Sequence, residues 1–259
     1  MNRDLLRLYA ITDRHCLKAA GETSSVKSVP GTEENPAAGR ESEDSSLRFE
    51  SETEALAMTV EQAILGGATM VQFREKELTG ARLEQDARAV QAVCRKHGVP
   101  FIMNNDVALA QKLDADGVHV GQSDMPAAEA RRLLGPAKII GVTARTVAEA
   151  QAAEAAGADY LGSGAVFGTS TKRDAKTMPL ETFRAITASV RIPVVAIGGI
   201  SAANAGGLKS HGAAGLAVVS SLFGAADITE AARTLRALAD EVVADRCRGV
   251  RQKRSGFAF

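Results

Sequence analysis

The chain has 259 residues, 45% of them hydrophobic, and its 31 basic and 31 acidic side chains cancel, so it can bury a substantial core but carries no net field for a polyanion. No apolar run is long enough to cross a bilayer, and the start, Met-Asn-Arg-Asp-Leu-Leu-Arg, lacks the apolar core and cleavage site of a secretory signal. Membrane and nucleic-acid partners are set aside, a cytoplasmic protein is expected, and Cys16, Cys94 and Cys247, without CxxC spacing, read as reduced thiols.

The first β-rich apolar run is 8–12. After it, residues 17–52 are rich in Gly, Ser, Pro, Glu and Lys with hardly any periodic apolar face, which reads as a flexible low-complexity insertion. It would emerge on the rim of the fold, as padding or as a lid. Helical period follows at Leu56, Val60 and Ile64, then a strand at 70–75, then helical period again at Leu83, Ala87, Val90 and Cys94. Further strands are expected at 100–104, 117–121, 139–143, 160–167, 193–199 and 215–221, and the last helical pattern runs through Ile228, Leu235, Leu238 and Val242. Thr146 with Glu149, and Asp227 with Glu230, have the spacing of helix starts. Gly66, Gly98, Gly157 and Gly212 stand where helices should stop. Eight nearly continuous apolar strands alternating with helices predict an α/β protein with a parallel sheet covered on both faces, and this length favours a single-domain (β/α)8 TIM barrel over 1–245. The remainder, 246–259, is a basic tail carrying Arg246, Arg248, Arg251, Lys253 and Arg254, expected to be solvated and frayed.

In such barrels chemistry sits at the C-terminal ends of the strands, so the residues there carry the functional reading. The second strand ends Gln72-Phe73-Arg74-Glu75-Lys76, and alternation sends Gln72, Arg74 and Lys76 to one side, the barrel interior. Arg supplies a planar fork and Lys a point charge, a pair suited to a diphosphate, unless both are spent on neighbouring acids. The third strand ends Asn104-Asn105-Asp106 and the fourth reaches Asp124. These oxygen donors would fit a shared Mg²⁺, or serve only as turn formers and helix caps. His119 lies within its run and reads as a hydrogen-bonded interior residue. The fifth strand delivers Thr143. The sixth leads to Thr169-Ser170-Thr171-Lys172-Arg173-Asp174, hydroxyls and cations of a phosphate loop or of an ordinary solvated turn. The seventh ends Gly198-Gly199, before an expected helix, and the eighth ends Val219-Ser220-Ser221. Backbone at these last two exits is where barrels usually hold phosphate.

Gln-Phe-Arg-Glu-Lys, Asp-Gly-Val-His-Val-Gly-Gln-Ser-Asp and Thr-Ser-Thr-Lys, in that order, resemble the thiamine-phosphate synthase family over residues 8–222 apart from the insertion. That resemblance implies a barrel transferase that joins an aminopyrimidine methyl diphosphate to a thiazole phosphate and releases pyrophosphate. It places the pyrimidine diphosphate on Gln72, Arg74, Lys76, Asn104, Thr143 and Lys172, with Arg74, Lys76 and Lys172 as the catalytic cations. It places thiazole phosphate on Thr169, Ser170, Thr171, Gly199, Val219 and Ser220, and Mg²⁺ on Asn105 and Asp124. Two positions depart from the family: Asn105 stands for the usual aspartate, and Thr143 for the usual serine. The implied mechanism is dissociative, with a pyrimidine carbocation captured by the thiazole nitrogen.

Two other functions remain open on the sequence. A thiazole tautomerase-like barrel would share the architecture but need a proton-transfer base, for which His119 is the candidate. A non-catalytic binder of thiamine precursors would tolerate Asn105. A Rossmann-type oxidoreductase ranks below both because no GxGxxG follows the first strand. The partners expected are small-molecule substrates, and homo-oligomerisation is left open.

Overall fold

The computed structural model describes residues 1–16, 41–168 and 177–255, with side chains outside 41–51 and 245–255. A 3-10 turn at Arg3–Leu6 leads into β1 (Leu8–Ile11). There follow α1 (Glu41–Leu65), β2 (Met70–Phe73), α2 (Gly80–His97), β3 (Phe101–Asn104), α3 (Val107–Lys112) and β4 (Gly117–Val120). Next come α4 (Ala127–Leu134), β5 (Ile139–Thr143), α5 (Val147–Ala155), β6 (Tyr160–Gly164), α6 (Leu180–Ser189) and β7 (Val194–Ile197). The chain ends with β8 (Leu216–Val218), α7 (Ser220–Phe223) and α8 (Ile228–Ser255). The eight strands pair in parallel and in sequence order, and β8 closes on β1 with Leu8 opposite Leu216. This is the expected (β/α)8 barrel.

Period-2 alternation divides the apolar residues into two cores. Outward-facing Val71, Phe73, Phe101, Val118, Ile140 and Leu161 pack beneath the helices. Inward, Tyr9, Ile11, Met70, Ile102, Tyr160 and Val195 fill the barrel. Phe73 and Phe101, with ring centroids 6.4 Å apart, illustrate the outer layer. Burying one such side chain is worth about 1.5–3 kcal/mol. The interior also admits polar side chains because other strands contribute glycine there. A Cβ on Gly141 would overlap the Tyr160 hydroxyl and ring, so glycine at 141 makes room for Tyr160.

Several strands stop short of the apolar runs that predict them. β2 ends at Phe73, β6 at Gly164 and β8 at Val218, so Arg74, Ala165 and Val219 leave the ladder and join the rim. Three further differences concern the helices. α1 begins at Glu41, inside the stretch 17–52 read as insertion, because the segment from Glu41 is rich in Glu with Leu47 and Arg48, which lose little rotamer freedom in a helix. Residues 17–40 lie outside the described residues. The helix expected after β7 is only a 3-10 turn, Ala205–Leu208, since Gly206 and Gly207 disfavour a longer one. α8 runs on to Ser255, so most of the basic tail continues a helix. The helix starts at Thr146 and Asp227 are as expected: Glu149 N–H donates to Thr146 Oγ1 at 3.1 Å, and Glu230 N–H to Asp227 Oδ1 at 2.9 Å.

Candidate active site

Two cavities adjoin at the C-terminal mouth of the barrel and share Arg74, Asn104, His119, Thr143 and Arg145. The first reaches into the barrel between Tyr9, Gln72, Val195 and Ala217 and out to Gly199, Val219 and Ser220. The second lies over β2–β4 and is lined by Lys76, Asn105, Asp106 and Asp124 among others. Every expected site residue within the described residues therefore lines one cavity or both. Thr169, Ser170, Thr171 and Lys172 lie outside the described residues.

Gln72 points into the barrel and is 3% exposed, as alternation requires. Arg74 leaves the strand but is clamped from β1: its backbone N–H donates to Thr12 Oγ1 at 2.9 Å and its guanidinium Nη1 to Asp13 Oδ2 at 2.7 Å. Arg74 is thus both paired with an acid and part of the cavity wall. Glu75 turns away. Its Oε2 accepts from Arg14 Nε at 2.7 Å, and its Oε1 accepts from the backbone N–H groups of Lys76 and Glu77. Lys76 is exposed at the cavity rim rather than inside, because the strand has already ended, and carries no ion pair among the described residues.

On β3 and β4 the oxygen donors separate by role. Asp106 caps α3, accepting from Leu109 N–H at 2.8 Å, and so is committed to the helix. Asn105 adopts the left-handed region at φ 63, a conformation Asn tolerates, with its N–H donated to the His119 carbonyl at 2.9 Å. Asp124 is not the cap of α4, which starts after Pro126; its Oδ2 accepts from Gly121 N–H at 2.7 Å. One such bond leaves the carboxylate room for further ligands. Among the described residues no group of three or more His, Cys, Asp and Glu gathers. One carboxylate and one amide oxygen facing a common cavity is a sparse, all-oxygen donor set. It fits Mg²⁺, which keeps waters and takes substrate phosphate oxygens, and not zinc.

At the opposite wall, Gly199 has φ 65, and a Cβ there would overlap the carbonyl oxygen of Gly168, so the β7 exit can pack this closely on the β6 exit only as glycine. Val219 and Ser220 enter the short α7, the usual position of a barrel phosphate site. One residue of the mouth, Arg145, escaped the sequence reading, and Ser221, named there only as part of a strand exit, joins the lining. Arg145 lines both cavities, with no ion pair among the described residues. It stands two positions beyond Thr143, so carrying the alternation past the strand end would have found it. Ser221 lines the first cavity, and its buried hydroxyl has no hydrogen-bond partner among the described residues.

His119 is an interior, hydrogen-bonded residue, as expected. Its Nδ1 meets Tyr160 Oη at 3.0 Å and its Nε2 meets Thr143 Oγ1 at 3.0 Å. With both ring nitrogens occupied, it is not poised as a general base toward the cavity.

Residues 46–222 match the thiamine monophosphate synthase family. The chain is 50% identical over 178 residues to a thiamine-phosphate synthase of Moorella thermoacetica, covering 68% of this chain and 85% of that one. It is 51% identical over 180 residues to that of Chloroflexus aurantiacus, covering 69% and 83%. Among solved structures, a thiamine phosphate pyrophosphorylase from Pyrococcus furiosus superposes with a TM-score of 0.73 at 35% identity, over 93% of this chain and 98% of that one.

Proposed function

This chain belongs to the thiamine monophosphate synthase family, and from that membership we propose how its joined cavities make thiamine phosphate. The enzyme is a transferase that couples an aminopyrimidine methyl diphosphate to a thiazole phosphate and releases pyrophosphate. The observation that carries the assignment is the continuity of the two cavities across Arg74, Asn104, His119, Thr143 and Arg145. One side presents oxygen donors and cations to a diphosphate. The other offers apolar walls at Ile11, Val195, Ile197 and Ala217 for flat rings, ending at Gly199, Val219 and Ser220 for a phosphate. To the latter we add Ser221, whose hydroxyl has no partner among the described residues and is a suitable donor.

In the dissociative reaction the methylene C–O bond breaks with both electrons leaving on the diphosphate. The aminopyrimidine ring stabilises the resulting methylene cation, and the lone pair of the thiazole nitrogen forms the new C–N bond. No proton changes hands, so no general base is needed, in keeping with the engaged nitrogens of His119. That engagement also weighs against a tautomerase. Arg74, Lys76 and Arg145 oppose the charge that grows on the leaving diphosphate, and Lys172 joins them by resemblance. The clamp from Asp13 fixes where Arg74 presents its charge, which keeps the site preorganised. Asn105 and Asp124 would hold Mg²⁺, which when bound neutralises charge on the diphosphate. Cys16 and Cys94 form no disulfide among the described residues, in keeping with the cytoplasmic setting we propose, and burial pushes the Cys94 thiol up to about 12, which makes it unreactive.

The test is to supply the purified protein with both substrates and Mg²⁺ and to quantify thiamine phosphate and pyrophosphate. Equimolar, metal-dependent formation of the two is the expected result, whereas ligand binding without pyrophosphate release would make the protein a precursor binder. The metal assignment has its own test. Asn105→Asp restores a charge that a left-handed position tolerates and is expected to lower the half-saturating Mg²⁺ concentration roughly tenfold. An unchanged Mg²⁺ titration would remove residue 105 from the ligand set.

A further inference from the structure

An unbroken file of side chains crosses the barrel beneath the mouth. Gln72 Nε2 donates to Tyr9 Oη at 2.7 Å, Tyr9 Oη meets Tyr160 Oη at 2.7 Å, and Tyr160 Oη meets His119 Nδ1 at 3.0 Å. His119 Nε2 then meets Thr143 Oγ1 at 3.0 Å. The file draws on β2, β1, β6, β4 and β5, and Gln72 and Thr143 at its two ends both line the first cavity. We propose that Tyr9, Tyr160 and His119 are positioning residues that make Thr143 a one-way hydrogen-bond donor to the pyrimidine diphosphate, a role resting on the synthase reading. The direction follows from counting protons. An amide nitrogen can only donate, so Tyr9 accepts from Gln72 and its single proton is left for Tyr160, the only other partner of that hydroxyl among the described residues. Tyr160 passes its own proton to Nδ1. A ring that accepts at Nδ1 carries its hydrogen on Nε2, which donates to Thr143. Having accepted, Thr143 turns its own proton into the cavity. Both phenols are fully buried, and burial holds each above the ordinary phenol range, so neither drops out of the file by ionising. A hydroxyl so oriented presents its proton to an anionic oxygen and disfavours a group that can only donate.

The file makes two measurements agree. On the ligand-free protein, the ring ¹⁵N shifts of His119, assigned with His119→Asn, should show hydrogen on Nε2 and a bare Nδ1, and Tyr160→Phe should remove that bias. Hydrogen on Nδ1 in the native protein reverses the file and overturns the proposal. In steady state, Thr143→Val should reduce kcat/KM for the pyrimidine diphosphate by about 10- to 100-fold, the range of one hydrogen bond to a charged group. Tyr160→Phe should cost about fivefold when Thr143 is present and less than about twofold in the Thr143→Val background, because it acts through that hydroxyl. Multiplicative losses in the Tyr160→Phe and Thr143→Val double variant would mean that the phenol only packs the barrel. The tautomer measurement needs no turnover. A native protein that fails to form thiamine phosphate sinks the synthase reading alone, and the ¹⁵N result still decides the direction of the file.

Discussion

Lys76→Ala is expected to lower kcat/KM for the pyrimidine diphosphate by about 10²–10³-fold, the effect of removing one group that opposes the charge developing on the leaving diphosphate, while leaving Tm unchanged. The argument rests on what Lys76 does not do. Its ammonium lies at the rim of the second cavity and makes no ion pair among the described residues, so truncation leaves no acid stranded. Its backbone N–H bond to Glu75 survives the change. Arg74 is the contrasting case. Arg74→Ala should lose comparable activity, but it also strands Asp13, which is 5% exposed, and breaking a buried pair from one side costs about 3–5 kcal/mol. Steady-state kinetics and thermal melts on the two variants therefore separate the two kinds of cation. If Lys76→Ala keeps kcat/KM within about threefold of the native value, the lysine is an ordinary solvated side chain and leaves the assignment.

Much of the fold could be read from the chain because strand and helix periods are local properties. The eight β runs, the helix starts at Thr146 and Asp227, and the barrel they imply all rest on neighbours within a few residues. What lay beyond reach depends on contacts distant in sequence. Asp13 and Arg74 are 61 residues apart, and Tyr9 and Tyr160 are 151 apart, so no window of sequence reveals that they meet. The site was legible to the extent that strand ends are. Gln72, Asn104, Thr143 and Asp124 followed from their places at those ends, whereas Arg145 was lost by stopping one alternation too early. The departures in the helices have the same origin. Composition alone made the segment from Glu41 look like insertion, although α1 uses Glu52 and Thr53 to engage Arg14 and Asp86.

That engagement belongs to a buried ionic cluster whose disruption is expected to cost as much stability as stranding Asp13. Asp86 on α2 is fully buried, accepts from Arg14 Nη2 at 2.5 Å and from Thr53 Oγ1 at 2.6 Å, and lies 3.3 Å from Arg82 Nε as an ion pair. Asp86→Ala leaves those donors around an empty position and should cost about 3–5 kcal/mol, a fall in Tm of roughly 6–20 °C for a domain of this size. Function should feel the change before unfolding does. Arg14 follows directly on Thr12 and Asp13, which hold Arg74, so KM for the pyrimidine diphosphate is expected to rise at temperatures where the variant is still folded. A stable variant, or an unstable one with native KM, would show that the cluster neither secures the fold nor positions Arg74. The same cluster has a pH signature. Burial pushes the Glu75 carboxyl up, but the Glu77 N–H and the Arg14 guanidinium outweigh it and hold the carboxyl below its ordinary range. A carboxyl lowered in the folded state contributes stability above its unfolded pKa of about 4.3, and that contribution disappears as pH falls through the lower folded value. Glu61, Glu84 and Asp114 are held low as well, by Lys96, Lys112 and Lys138 first of all, and they titrate over the same acid range. The difference between native protein and Glu75→Gln, followed from neutral pH into that range, isolates Glu75: the native advantage should shrink on acidification, because only the native cluster has a carboxylate there to protonate.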